Sequence, residues 1–235
     1  MDQPVDKINK RLPGLFPNIP RSVLRNLMFD TEAIFSVTNQ TIANDICKRL
    51  FSIKGVNSYS KVTDTTACVG GNVFSFVRSF RNINAIEIDP KKCKMLRHNL
   101  KVLDENYVNF DSSRVNIIEG NCLDYIFSDD TETETAPMVT QDILFIDPPW
   151  GGIKYKEHKD LDLYLEDSNG NNLELFDIIA KLKGNTKFII LKVPINYNLN
   201  NIQKVKDTYK MEFIQGYNKP NSMNIIVLSL RYIYL

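Results

Sequence analysis

The chain has 235 residues, of which 43% are hydrophobic and 24% charged, and its formal net charge is +1. That near-neutral balance fits one principal globular domain and argues against holding long nucleic acid by bulk electrostatics, which calls for a strong basic excess. The apolar runs Phe188 to Leu191 and Ile225 to Leu230 fall far short of the roughly 20 residues that span a bilayer, and "MDQPVDKINK" lacks the apolar core of a signal peptide. A soluble, intracellular chain without a membrane segment is expected. Lys7, Lys10, Arg11, Arg21 and Arg25 make the first thirty residues locally basic, which reads as a solvated helix face or as a short contact to phosphates. Cys47, Cys68, Cys93 and Cys122 form no C-x-x-C pair, and His98 and His158 sit in no metal-ligand spacing, so reduced thiols and no metal are expected.

The first segment, to about Lys54, reads as helical with a break at "LPGLFPNIP". Thr38-Asn39 is a plausible N-cap for "QTIANDICKRLF", where Ile42, Ile46 and Leu50 share a face. From Lys61 onward, short apolar runs alternate with helical stretches: "KVTDTTACV", "NVFSFVRSF", "NAIEID", "KKCKMLRHNLKVL", "RVNIIEG", "DILFID", then "ELFDIIAKLK" and "KFIILKV". This alternation predicts an α/β fold, a mostly parallel, doubly wound sheet. "KMEFIQGY" and "MNIIVLSLRYIY", separated by "NKPNS", predict a C-terminal antiparallel hairpin at the sheet's edge. "SDDTETETAPMVTQ" and "KYKEHKDLDLYLEDSNGNN" read as loops. The division expected is a helical extension over residues 1–54 and a catalytic domain over 55–235.

The chemistry lies at the strand ends. In "TDTTACVGGN", Gly70-Gly71 lets the backbone turn tightly and approach a ligand, ahead of a helix start with free N–H groups. Glu87, between Ile86 and Ile88 at the end of the next strand, is placed to accept the two hydroxyl hydrogens of a ribose. Asn121, after the strand that follows, has an amide suited to an adenine edge. "ILFIDPPWGG" then ends a buried strand on Asp147, Pro148, Pro149 and the chain's one tryptophan, Trp150. The Asp147 carboxylate and the Pro148 carbonyl, held stiffly, can accept both hydrogens of a nucleobase amine, helping that nitrogen become tetrahedral and carry developing positive charge. Trp150 offers a face for a stacked base, favouring a cationic one. As a core tryptophan it would be unremarkable, but flanking prolines and glycines place it in a loop.

These residues resemble the S-adenosylmethionine-dependent methyltransferases of class I, with their Rossmann-like fold, and within them the trimethylguanosine synthases, which methylate N2 of an RNA 7-methylguanosine cap. "FSVT" (35 to 38), D-x-x-x-x-V-G-G-N (64 to 72), "AIEIDP" (85 to 90) and "PPWGG" (148 to 152) look like that family's blocks in the same order. The resemblance covers about Phe35 to Val193. It implies that Asp64, Cys68, Gly70, Asn72 and Asp147 border the cofactor, S-adenosylmethionine, with Glu87 on the ribose and Asn121 by the adenine. It also implies that Trp150 stacks on the 7-methylguanine, with Ser36, Thr38 and Asn99 near the cap nucleoside and Tyr155 near its phosphates.

The chain departs from the family's pattern in four places. Cys68 stands where glycine is usual, Asp147 where serine is common, and Asn121 where aspartate is found. A cap-phosphate arginine aligns with Ile195, so that Lys192 or the N-terminal basic residues would have to substitute for it. The Asn-, Ile- and Lys-rich composition suggests an AT-rich, viral source. The expectation is a monomeric cap guanine-N2 methyltransferase acting on the 5′ end of 7-methylguanosine-capped RNA, its N-terminal helices closing over the cap. Its rivals are an enzyme acting on N6 of adenine or on internal guanine N2, and a cap-binding module without turnover. A nicotinamide dehydrogenase is disfavoured because no G-x-G-x-x-G follows the first strand.

Overall fold

The computed structural model describes residues 4–127, 141–217 and 223–231. The expected loop "SDDTETETAPMVTQ", apart from Gln141, and the turn "NKPNS" lie outside them. Seven strands form a mixed, mostly parallel sheet. The chain divides into two compact units, Met1–Gly120 and Asn121–Leu235.

In the first unit, helices α1 (Pro4–Leu15), α2 (Arg21–Leu24), α3 (Ala33–Ser36) and α4 (Gln40–Leu50) precede β1 (Lys61–Asp64). Then come α5 (Val73–Ser79), β2 (Asn82–Glu87), α6 (Pro90–Asn106) and β3 (Val115–Glu119). The break expected at "LPGLFPNIP" comes later than the sequence suggests, because α1 runs through Pro13 to Leu15. Proline removes one helical hydrogen bond, yet the Phe16 N–H still donates to the Leu12 carbonyl at 2.9 Å, so the chain leaves the helix only before Pro17. At α4 the Asn39 side chain accepts from the Thr41 N–H, the expected cap. Its buried face is Ala43, Ile46, Cys47 and Leu50, a helical i, i+3, i+4, i+7 stripe. Strands β1, β2 and β3 pair in parallel, with Asp64 opposite Ala85 and Glu87 opposite Glu119. Asp89 caps α6 and Pro90 opens it, a combination that fixes where β2 ends.

The second unit holds α7 (Cys122–Ile126), β4 (Ile143–Ile146), β5 (Tyr164–Glu166), β6 (Asn172–Glu174), α8 (Leu175–Lys181), β7 (Phe188–Pro194), β8 (Tyr209–Tyr217) and β9 (Met223–Leu230). Strands β4 and β7 pair in parallel, and every residue of both is buried. Strands β9 and β8 add antiparallel, with a bulge between Met211 and Phe213. The loop expected after Trp150 is more ordered than its composition suggests. It contains a 3₁₀ helix, Gly152–Glu157, and the small antiparallel pair β5-β6. These strands have three residues each, too short for an alternation to stand out. Among the described residues no helix is long and apolar enough to cross a membrane, and no group of three or more His, Cys, Asp or Glu side chains could hold a metal ion.

Candidate active site

In the first unit the candidate residues gather at the carboxyl ends of β1 and β2. Gly70 has φ +108, a conformation L side chains rarely adopt. Gly71 is required for space, since a Cβ there would clash with Val37 Cγ2 and lie 3.0 Å from the Thr38 nitrogen. The "FSVT" segment thus rests directly on the glycine turn. Cys68 has φ +49, which explains why a glycine is the usual occupant and why a side chain there carries backbone strain. Burial, reinforced by the Glu87 carboxylate, pushes its thiol up to about 12, so Cys68 is a neutral thiol and not a nucleophile.

Glu87 is only 8% exposed. Its Oε2 accepts from the Cys68 N–H at 2.8 Å and its Oε1 from the Asp89 N–H at 2.9 Å. A carboxylate has about four lone-pair sites, so both oxygens keep capacity for hydroxyl donors. Asp64 is fully buried, and its Oδ1 accepts from the Thr66 N–H at 3.2 Å. Asn72 sits at the N-cap of α5 without capping it, and its buried Oδ1 has no partner among the described residues. Thr38 Oγ1 is likewise buried without a hydrogen bond. Such orphaned polar atoms are costly unless a ligand completes them. The Asn72 atom, with Glu87 and the glycine turn, offers hydrogen-bond acceptors of the kind that the ribose and amino-acid ends of S-adenosylmethionine require.

One implied contact is placed differently. Asn99 is 0% exposed, so it has no surface for a cap nucleoside. Its Oδ1 accepts from the Met28 N–H at 2.7 Å, while Nδ2 donates to the Met28 carbonyl at 2.9 Å and to the Val69 carbonyl at 3.1 Å. It therefore clamps the segment before α3 to the cofactor turn. Ser36 is exposed, its hydroxyl donating to the Glu32 carbonyl at 3.2 Å.

In the second unit Asp147, Pro148 and Trp150 follow β4, and Gly151 and Gly152, at φ +81 and +71, turn the chain into the 3₁₀ helix. Trp150 is half-buried, not fully exposed. Its ring meets Tyr155 edge-on at 5.3 Å, and its buried Nε1 has no hydrogen-bond partner among the described residues. Trp150 and Tyr155 line a cavity of about 230 Å³ together with Lys154, His158 and Leu163. Asn196, which the motif reading passed over, holds this wall by donating to the carbonyls of Tyr155 and His158, both at 2.8 Å. Its place just after β7 was the one available signal.

Lys192 does not stand ready for a phosphate. Its Nζ pairs with Asp147 Oδ2 at 2.5 Å, with side chains only 5% and 13% exposed, and lies 5.1 Å from the Trp150 ring centroid. Within β7 a buried ammonium demands such a partner. Asn121 is also engaged. Its Oδ1 accepts from the Leu123 N–H at 3.0 Å, capping α7, and its Nδ2 donates to the Glu166 carbonyl at 2.7 Å.

The sequence matches, over residues 59–230, the family described as RNA cap guanine-N2 methyltransferase. An uncharacterised protein of Acanthamoeba polyphaga mimivirus is 31% identical over 213 residues, which cover 81% of this chain and 75% of that protein. Trimethylguanosine synthase of Schizosaccharomyces pombe is 29% identical over 178 residues, 76% of this chain and 66% of the yeast protein. Among solved structures, a candidate methyltransferase of Porphyromonas gingivalis W83 superposes with TM-score 0.64 at 13% identity, over 97% of this chain and 49% of its own. Magnesium protoporphyrin IX methyltransferase of Synechocystis PCC 6803 does so with TM-score 0.55 at 9% identity, over 96% and 91%. The structural likenesses establish the Rossmann-like methyltransferase fold, and the sequence match extends over most of the chain: it belongs to the RNA cap guanine-N2 methyltransferase family.

Proposed function

We propose that this methyltransferase modifies N2 of 7-methylguanosine at the 5′ end of capped RNA, with S-adenosylmethionine as cofactor. The observation that carries the reading is that Asp147 and Trp150 meet at one ammonium, that of Lys192, while the half-buried Trp150 ring walls a cavity beside Tyr155. When bound, S-adenosylmethionine supplies an electrophilic methyl group. Glu87 would hold its ribose, with Asp64, Cys68, Gly70 and Asn72 bordering it. Trp150 fixes the plane of the base, and its π face suits the positive ring of 7-methylguanine. Asp147 and the Pro148 carbonyl accept the hydrogens of the base amine, so that negative dipoles already stand where positive charge develops. Lys154, exposed and lining the same cavity, would answer the cap phosphates in place of the arginine that aligns with Ile195. The likeness to a mimivirus protein supports the viral source that the composition suggests.

A second reading, N6 of adenine, is favoured only by the carboxylate at 147, which suits any exocyclic amine. The test offers labelled S-adenosylmethionine with a 7-methylguanosine-capped dinucleotide, its unmethylated counterpart and an adenine-containing oligonucleotide. Transfer to the 7-methylated cap is expected. Transfer to the adenine oligonucleotide alone would replace the cap reading, and cap binding without transfer would indicate a binding module.

A further inference from the structure

Lys192 is the unexpected member of the Trp150 cluster. Its ammonium forms a 2.5 Å ion pair with Asp147 and lies 5.1 Å from the indole centroid, within the range of a cation–π contact. Both charges are shielded from water, at 5% and 13% exposure, so they act on any base brought to Trp150 with little screening. The indole already answers one cation, which weakens its attraction for a second. The Asp147 carboxylate acts in the opposite sense, drawing a cationic ring toward the site. The two cancel as a pair, and either alone would not.

Resting on the cap reading above, we propose that Lys192 is a specificity residue: through Asp147 and Trp150 it sets how strongly the site prefers the cationic 7-methylguanine ring over neutral guanine. The preference follows the net charge of the pair. Lys192→Met removes the positive charge of the pair and raises the preference, whereas Asp147→Asn removes its negative charge and lowers it. The double substitution restores neutrality and with it a preference near that of the parent. Lys192→Arg, which keeps the charge, changes the preference little.

Because Trp150 is the chain's one tryptophan, its fluorescence reports the site directly. Quenching titrations with 7-methylguanosine triphosphate and guanosine triphosphate give two dissociation constants. Their ratio isolates ring charge, since the phosphates are common to both. The expected result is a shift of about tenfold upward for Lys192→Met and about tenfold downward for Asp147→Asn. The double variant should return to within about threefold of the parent, a pattern that loss of packing alone would not produce. A ratio unmoved by the single variants, or moved in the same direction by both, overturns the proposal while leaving the cap reading intact. Absence of quenching by either nucleotide in the parent protein overturns the cap reading and the proposal together. Should Lys192→Met not fold, Asp147→Asn and the double variant still decide the sign.

Discussion

Glu87 joins a local structural duty to its proposed ligand. By accepting from the N–H groups of Cys68 and Asp89 it fastens the cofactor turn to the end of β2. Glu87→Gln keeps the shape but gives up charge and an acceptor site, so cofactor affinity should fall about 10- to 100-fold, as isothermal titration with S-adenosylmethionine would measure. Trp150→Ala separates the two ligands. Cap-analogue affinity should fall about 10- to 100-fold, the worth of one stacking interaction, with cofactor affinity nearly unchanged. Equal loss of both would remove the stacking role. Asp147 and Trp150 were legible in the sequence because "DPPW" concentrates an acid and an indole on a stiff turn. The contacts of Asn99 and Lys192 were not legible in the sequence, because a carboxamide or ammonium is assigned by its partners, and those of Asn99 lie 71 and 30 residues away and that of Lys192 45.

At the level of elements, the glycine turn and the N-terminal helices form a linked assembly. Val37 and Thr38 press on Gly71, and Asn99 ties Met28 to Val69. Gly71→Ala would drive a methyl group into Val37, with an expected cost of about 1–3 kcal/mol. Asn99→Ala would break three hydrogen bonds and leave buried backbone groups unsatisfied, for about 2–4 kcal/mol. Urea midpoints measure both costs, and each variant should lose cofactor affinity along with stability. The apolar runs of β4 and β7 announced themselves because strands buried on both faces leave no polar alternation. The β5-β6 pair did not, since its three-residue strands carry exposed acids at Glu166 and asparagine at Asn172.

For the whole molecule, buried thiols make stability depend on alkaline pH. Burial pushes Cys47 and Cys68 from 9.0 up to about 12. A folded-state value above the unfolded one means the stabilisation is complete below pH 9.0 and is lost as the pH rises toward about 12. The urea midpoint should therefore fall steadily between about pH 9 and about pH 11, and Cys47→Ala should flatten the slope. A midpoint independent of pH over that interval would contradict the burial of these thiols. The family and the fold establish a methyltransferase, and N2 of the cap guanine is the atom proposed to receive the methyl group. The most direct measurement compares methyl transfer to two capped dinucleotides, one bearing 7-methylguanosine and the other 7-methylinosine, which keeps the ring charge but lacks the 2-amino group. Mass analysis should show a methyl gain on the first and none on the second; methylation of both would place the acceptor elsewhere and contradict the claim.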